Sequence, residues 1–252
     1  MHMQNYYTTA NIAKIIGIHP NTVRLYESLG LITKPERKQN GYRIFTNLHI
    51  EQLKIARLAF EVEILQNGLR KLAVKIIKTC AECNYTEAIS LTLRYLEQVQ
   101  EERKSAEKAI KIVEQIIDGK SEAPQQICMT RKEAADYLNV TIDTLRNWEM
   151  NGLITIKRKK NGYRVYTEQD LQHLTIINSL RCANYSLSAI LRMLSTLSVN
   201  PEANIREAID TSDNYDDIIT ACDNLLTSLN HAENNGKEIL ILLTNLNSVT
   251  KT

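Results

Sequence analysis

A block of about fifty residues is written twice in this chain, and that repetition constrains the fold more than any compositional total. Residues 7–32 read YTTANIAKIIGIHPNTVRLYESLGLI, and residues 40–46 follow with NGYRIFT. Residues 129–154 read MTRKEAADYLNVTIDTLRNWEMNGLI, and residues 161–167 follow with NGYRVYT. Arg24 and Arg146 stand 122 residues apart, whereas Tyr42 and Tyr163 stand 121 apart, so the register slips by one residue between the two motifs. A fixed long-range shift with one small deletion marks a duplicated domain.

Each copy spells two short helices and a hairpin. Ile12, Ala13, Ile15 and Ile16 fall on one helical face, with Thr9 as the expected N-cap. In the second copy Thr130 and Glu133 have the spacing of a capping box. Gly17 and Asn139 are placed to end these helices. The next helices are expected over residues 21–29 and 143–150, stopped by Gly30 and Gly152, and the pair makes a helix-turn-helix. Asn40-Gly41 and Asn161-Gly162 then predict type I′ turns, in which both central residues need positive φ. Tyr42 and Ile44 alternate with Arg43, and Tyr163 and Val165 with Arg164, as a strand requires. The hairpins carry Arg37, Lys38 and Arg43 in one copy and Arg158, Lys159, Lys160 and Arg164 in the other, which makes each a basic wing.

This arrangement points to duplex DNA. A short second helix can present its outward residues to base edges in the major groove. Wing cations neutralise phosphates and fix register without carrying sequence information. The charge is distributed to match: residues 1–56 hold seven Lys/Arg against three Asp/Glu, and residues 119–176 hold nine against seven. Residues 57–118 balance at ten each, and residues 177–252 hold five against nine, although the whole chain is only +2. The positive excess therefore sits on the two winged units, where attraction to DNA needs it.

TVRLYESLGLI with NGYRIF, and TLRNWEMNGLI with NGYRVY, resemble the MerR family of bacterial transcription regulators over about seventy residues in each half. The resemblance implies that Arg24, Tyr26, Tyr42 and Arg43 touch the DNA backbone, with Asn21 and Thr22 near base edges or phosphates. Arg146, Trp148, Tyr163, Arg164, Asp143 and Thr144 are the matching positions in the second copy. Where the family often has Arg-Tyr-Tyr, this chain has Arg24-Leu25-Tyr26 and Arg146-Asn147-Trp148. Asp143 replaces the neutral Asn21, and a carboxylate repels phosphate but accepts from cytosine N4, so the two halves are not expected to prefer the same half-site.

A heptad seam follows each copy. Thr92, Leu96, Val99, Arg103, Ala106, Ile110, Val113 and Ile117 step by alternating fours and threes, flawed at Arg103. Ile219, Cys222, Leu226, Leu229, Glu233, Gly236, Leu240 and Leu243 form a like series, flawed at Glu233 and at Gly236, where a break or bend is expected. Members of the family usually dimerise through one such helix per chain, packed antiparallel against its twin. Here one chain supplies both helices.

The expected fold is therefore mainly α: two winged helix-turn-helix domains, each followed by a long dimerisation-type helix, the two helices forming an antiparallel coiled coil. The expected segments are 1–78 (first winged unit), 79–117 (first helical segment), 118–127 (linker), 128–198 (second winged unit) and 199–252 (second helical segment). The ten-residue linker can extend about 35 Å, enough for a single-chain pseudo-dimer; the competing arrangement is a homodimer with four DNA-binding units. A strut over residues 91–117 would be roughly 40 Å long, able to hold two readers one DNA turn apart.

The remaining signals restrict function further. No run approaches twenty apolar residues and no secretory leader opens the chain, so a soluble cytoplasmic protein with no membrane partner is expected. His2, His19, His49, His173 and His231 are scattered, and no GxxxxGK[ST], GxGxxG or HExxH occurs, so neither an enzyme nor a cofactor is expected. Glu27 and Glu149 are repeat positions suited to anchoring a wing arginine or a helix. Five cysteines argue against a disulfide framework. Cys80 and Cys83 form a lone CxxC and are weak metal candidates, buried or idle thiols being the simpler reading.

With so few residues after the second seam, no large effector domain is expected. An inducer, of unknown identity, would then lodge in the helical region near Tyr85, Tyr95, Tyr185 and Tyr215, residues that read equally well as core. The expected function is a DNA-distorting transcription regulator whose effect reaches RNA polymerase indirectly. The alternatives are an architectural or excisionase-like DNA-bending protein, and an interaction adaptor in which only the first copy binds DNA.

Overall fold

A computed structural model describes residues 6–61, 68–118, 128–158, 162–210 and 224–249. The elements are α1 (Thr9–Ile16), α2 (Pro20–Ser28), β1 (Glu36–Arg37), β2 (Arg43–Ile44), α3 (Asn47–Glu61), α4 (Leu69–Ala81) and α5 (Tyr85–Asp118). They continue as β3 (Cys128–Met129), α6 (Arg131–Tyr137), α7 (Ile142–Met150), β4 (Tyr166–Thr167), α8 (Glu168–Cys182), α9 (Leu187–Val199), α10 (Ile205–Asp210) and α11 (Leu225–Val249). Two compact units result, one of residues 1–101 with 228–252, the other of residues 102–227. The division cuts through α5 and α11, so it departs from the linear segmentation read from the sequence.

In the first unit Thr8, rather than Thr9, caps α1, its hydroxyl accepting from the Asn11 amide at 3.3 Å. Gly17 closes α1 in the left-handed conformation (φ 72°), which a side chain would strain. Ile12, Ala13 and Ile16 join Val23, Ile32, Phe45, Ile50 and Leu53 in one core cluster, whereas Ile15 is 51% exposed and does not belong to it. Tyr7 pairs with Phe45 across an antiparallel bridge, adding a strand-like contact ahead of α1.

The wing turn differs from the expected type I′. Gly41 has φ 82°, while Asn40 keeps an ordinary negative φ. The Gly41 amide donates to the Lys38 carbonyl at 2.8 Å, and the Lys38 amide to the Tyr42 carbonyl at 2.8 Å. This is a three-residue loop, a turn at Gln39-Asn40 followed by a left-handed glycine that makes a bulge. It preserves the pairing of Arg37 with Arg43 and Glu36 with Ile44. In the second copy Arg158 bridges Arg164 in the corresponding register and Gly162 again has φ 82°; Asn161 lies outside the described residues.

Gln52, almost fully buried, fastens this winged module to its helices. Its amide donates to Thr33 Oγ1 (2.8 Å) and to the Cys80 carbonyl (3.1 Å), while its oxygen accepts from the Thr33 amide (2.8 Å). Both of its N–H donors and its oxygen are thereby engaged, as burial demands.

The helix α5 begins six residues earlier than the seam suggested, with the Asn84 side chain accepting from the Glu87 amide at 3.3 Å. Its 34 residues span about 50 Å. Thr92, Leu96 and Val99 of the seam are buried in the first unit. The helix α11 runs unbroken through Gly236, so the expected break is absent. A Cβ on Gly236 would sit 2.7 Å from Leu96 Cδ2, and Gln100 donates to Glu233 at 3.4 Å. As position rises from 96 to 100 on one helix it falls from 236 to 233 on the other, which makes the pair antiparallel. Beyond it the Asn235 amide donates to the Leu58 carbonyl (3.2 Å) and Glu61 (3.1 Å), tying α11 to the end of α3. The inward position of the last seam turn is Ile239, whereas Leu240 is half-buried; Ile219 and Cys222 lie outside the described residues.

In the second unit the capping boxes are complete: Thr130 with Glu133 on α6, and Thr167 with Asp170 on α8. Here β3 pairs with β4, Met129 opposite Tyr166, repeating the Tyr7–Phe45 bridge as a two-residue ladder. Ala106, Ile110 and Val113 of α5 are buried and Arg103 is half-buried. Asn184, held at φ 69°, donates to Glu102 of α5 at 3.0 Å. Asp210 ends α10 and accepts from the Leu226 and Thr227 amides, capping the start of α11. Among the described residues no helix is long and apolar enough to cross a membrane.

Candidate nucleic-acid interface

The second helix of each copy is built to bury one face and present the other. In α2 Val23 is fully buried, Tyr26 and Glu27 are half-buried, and Asn21, Arg24, Leu25 and Ser28 are exposed. In α7 Leu145 and Trp148 are buried, and Asp143, Arg146, Asn147 and Met150 are exposed. The outward spacing of three, four and seven residues makes one helical stripe. Each helix starts on a side-chain cap: His19 Nδ1 accepts from the Asn21 amide (3.2 Å), and Thr141 Oγ1 from the Thr144 amide (3.1 Å). Thr22 and Thr144 are half-buried at these starts, and the Thr144 hydroxyl meets that of Thr141 at 2.8 Å.

A carboxylate under each wing sets its position. Glu27 holds Arg43 of β2 in a close ion pair and contacts Arg37 of β1 at 3.5 Å. Glu149 accepts from Arg164 at 2.8 Å through one oxygen and from Arg131 at 2.8 Å through the other. Arg131 also donates to the Tyr166 hydroxyl at 3.2 Å. These pairs are about three-quarters or more shielded except at Arg37, so they are less screened than surface pairs. The repeated glutamates thus lock the wing to the recognition helix, the anchoring role read from the sequence.

Arg131 was not legible as a site residue. It aligns with Thr9 of the first copy, so the repeat gives no signal for it. The first copy recruits Arg37 as the second cation on its glutamate; the second recruits Arg131 at the start of α6. Glu149→Gln is expected to cost about 1.5–3 kcal/mol, the range for hydrogen bonds to charged groups. Chemical denaturation of the full chain measures it, and an unchanged midpoint would remove the anchoring role.

The remaining candidates separate by exposure. Tyr42 and Tyr163 are 72% and 74% exposed at the wing tips, and Lys38 and Arg158 are exposed beside them. Arg43 and Arg164 are half-buried, engaged with their glutamates. Trp148, at 4% exposed, belongs to the core, because its ring points into the unit instead of out of it. Tyr26 is half-buried, meeting Phe60 edge-on at 6.1 Å, and burial raises its hydroxyl pKa. Lys159 and Lys160 lie outside the described residues.

Cys80 is buried and its thiol is pushed up to about 12 by burial, then by the neighbouring Cys83; Cys83 is exposed. Among the described residues no cluster of three or more His, Cys, Asp or Glu could hold a metal ion. Tyr85, Tyr95 and Tyr185 are buried core residues, and Tyr215 lies outside the described residues.

Comparison with known proteins agrees with this geometry. Residues 8–45 match the family described as "MerR family regulatory protein", and residues 129–197 match "MerR HTH family regulatory protein". The HTH-type transcriptional regulator CueR of Escherichia coli O157:H7 is 42% identical over 53 residues, 21% of this chain and 39% of that protein. The HTH-type transcriptional regulator ZntR of Escherichia coli K12 is 38% identical over 71 residues, 28% of this chain and 50% of that protein. The mercuric resistance operon regulatory protein of Bacillus cereus is 26% identical over 119 residues, 47% of this chain and 86% of that protein. The chain thus spans about two-fifths of the length of the CueR regulator it matches. No solved structure matches it significantly. Two helix-turn-helix units with glutamate-anchored wings, each matched separately, make the chain a tandem of two MerR-type segments.

Proposed function

We propose that the chain is a sequence-specific regulator of transcription that binds double-stranded DNA through both winged units, as a single-chain pseudo-dimer in the cytoplasm. The observation that carries this reading is the repeated pair of an outward arginine on the recognition helix and a wing fixed to that helix by a half-buried glutamate. One group meets the groove and the other meets phosphate, and the glutamate keeps them in register. Distortion of the bound promoter would convey the effect to RNA polymerase indirectly, since deformation energy depends on sequence.

Antiparallel packing of α11 on α5 supports the single-chain form, because one polypeptide supplies both helices. A solution mass of one chain, 28.8 kDa, is expected; twice that mass would favour the homodimer.

Arg24→Ala and Arg146→Ala test the DNA reading. Each is expected to weaken binding and to lower the salt-dependence slope by about one unit. A specific observation favours a second outcome: Asp143 pairs with Arg146 at 3.0 Å and compensates its charge, whereas Asn21, in the same place beside Arg24, is neutral. If only Arg24→Ala matters, the second copy serves as a scaffold. If neither changes binding, the interface lies elsewhere.

A further inference from the structure

We propose that the two recognition helices read different base sequences, and that Asn21 and Leu25 against Asp143 and Asn147 set the difference. This rests on the DNA-binding reading and extends it to the side chains that choose the bases. The outward stripes are Asn21, Arg24, Leu25, Ser28 and Asp143, Arg146, Asn147, Met150. Only the arginine is shared, so three of four positions differ in chemistry between otherwise equivalent helices.

The shared arginine is held the same way in both. Arg24 donates to Asn21 Oδ1 at 3.1 Å, and Arg146 donates to Asp143 Oδ1 at 3.0 Å. What remains of the partner differs. Asn21 keeps an amide that donates, which suits the acceptor–donor edge of adenine. Asp143 keeps a carboxylate oxygen that only accepts. It favours an amino donor such as cytosine N4 and opposes the guanine N7/O6 pair.

Position 25/147 strengthens the contrast. Leu25 is 52% exposed and lies outside the core clusters that Val23 and Tyr26 join. Apolar contact with a thymine methyl is the groove chemistry open to it. Asn147, in the same register, offers the bidentate donor–acceptor pair that matches adenine.

The first copy therefore reads an A/T-containing arm through Asn21 and Leu25. The second reads an arm with cytosine opposite Asp143 and adenine opposite Asn147. Two unlike readers on one polypeptide make an asymmetric operator, so the bound chain has a direction along the DNA. Two identical subunits related by a twofold axis cannot impose this on a palindrome.

Selection of duplexes from a random pool with the full chain supplies the two arms. Affinity is then compared for the selected duplex, an inverted repeat of arm one and an inverted repeat of arm two. The mixed duplex is expected to bind roughly tenfold or more tightly than either palindrome, as one or two base contacts imply. D143N/N147L gives the second helix the first one's outward chemistry and should shift preference to the arm-one palindrome. N21D/L25N, the reciprocal change, should shift it to arm two. All four positions are exposed, so melting temperatures are expected to stay close to wild type. Tight binding with no preference among the three duplexes overturns the inference while leaving DNA binding intact, as does selection of the same arms by both double variants. Failure of the wild-type chain to bind any duplex at low salt overturns the DNA reading itself.

Discussion

Trp148→Ala is expected to remove about 3–5 kcal/mol from the second unit, the usual cost of emptying a large buried aromatic site. The residue is 4% exposed on α7, beside the fully buried Leu145, in a unit whose stability must come from a short helical core. A domain of this size has a total stability of about 5–15 kcal/mol, so the loss should shift melting by many degrees. Circular dichroism follows it, since the substitution removes the chain's single tryptophan and with it the fluorescence signal. Tyr26→Ala should cost less, because its ring is only half-buried. Trp148→Phe separates packing from recognition. It should keep most of the stability and all of the DNA affinity; a variant that folds as well as wild type but binds tenfold more weakly would show that the indole touches DNA after all.

Trp148 also shows where the sequence was legible and where it was not. The repeat located both recognition helices, both wings and the glutamates beneath them, because each is a local pattern printed twice. It could not tell inward from outward at position 26/148. Arginine, a variable residue, aromatic and glutamate follow one another there, and which residue turns inward depends on what the rest of the unit leaves unfilled. The wing turn failed for a similar reason. Asn-Gly is the strongest short signal for a type I′ turn, yet Gly41 alone takes positive φ, because the hairpin closes one residue earlier, at Lys38. Arg131 was invisible because its partner Glu149 is repeated and it is not. Thr8 displaced Thr9 as the cap by one residue, within the ordinary uncertainty of helix ends.

Gly236 is the case in which a sequence signal kept its position and reversed its meaning. A glycine in a helix costs about 1 kcal/mol relative to alanine, which is why a break was expected; α11 nevertheless continues through it. The compensation is close approach, since a Cβ would lie 2.7 Å from Leu96 Cδ2, 3.3 Å from Leu96 Cγ and 3.4 Å from Tyr95 Cδ1. For Gly236→Ala the nearest obstacle is the end of a flexible side chain, so the propensity gain and the small clash should nearly cancel.

Gly236→Val adds an isopropyl group where even a Cβ is crowded and should cost about 1–3 kcal/mol by overpacking, with a further loss at Glu233. That carboxylate is buried one turn away and held by Gln100 (3.4 Å) and Lys237 (2.7 Å), and the Gln100 contact depends on the helices staying together. Leu96→Ala should return part of the loss in the double variant, because it removes the side chain that the new methyls meet. The same variant bears on how the chain assembles. If the helices pair within one polypeptide, its lowered melting temperature will not change with protein concentration. If they pair between polypeptides, melting will fall on dilution, since association is then linked to folding.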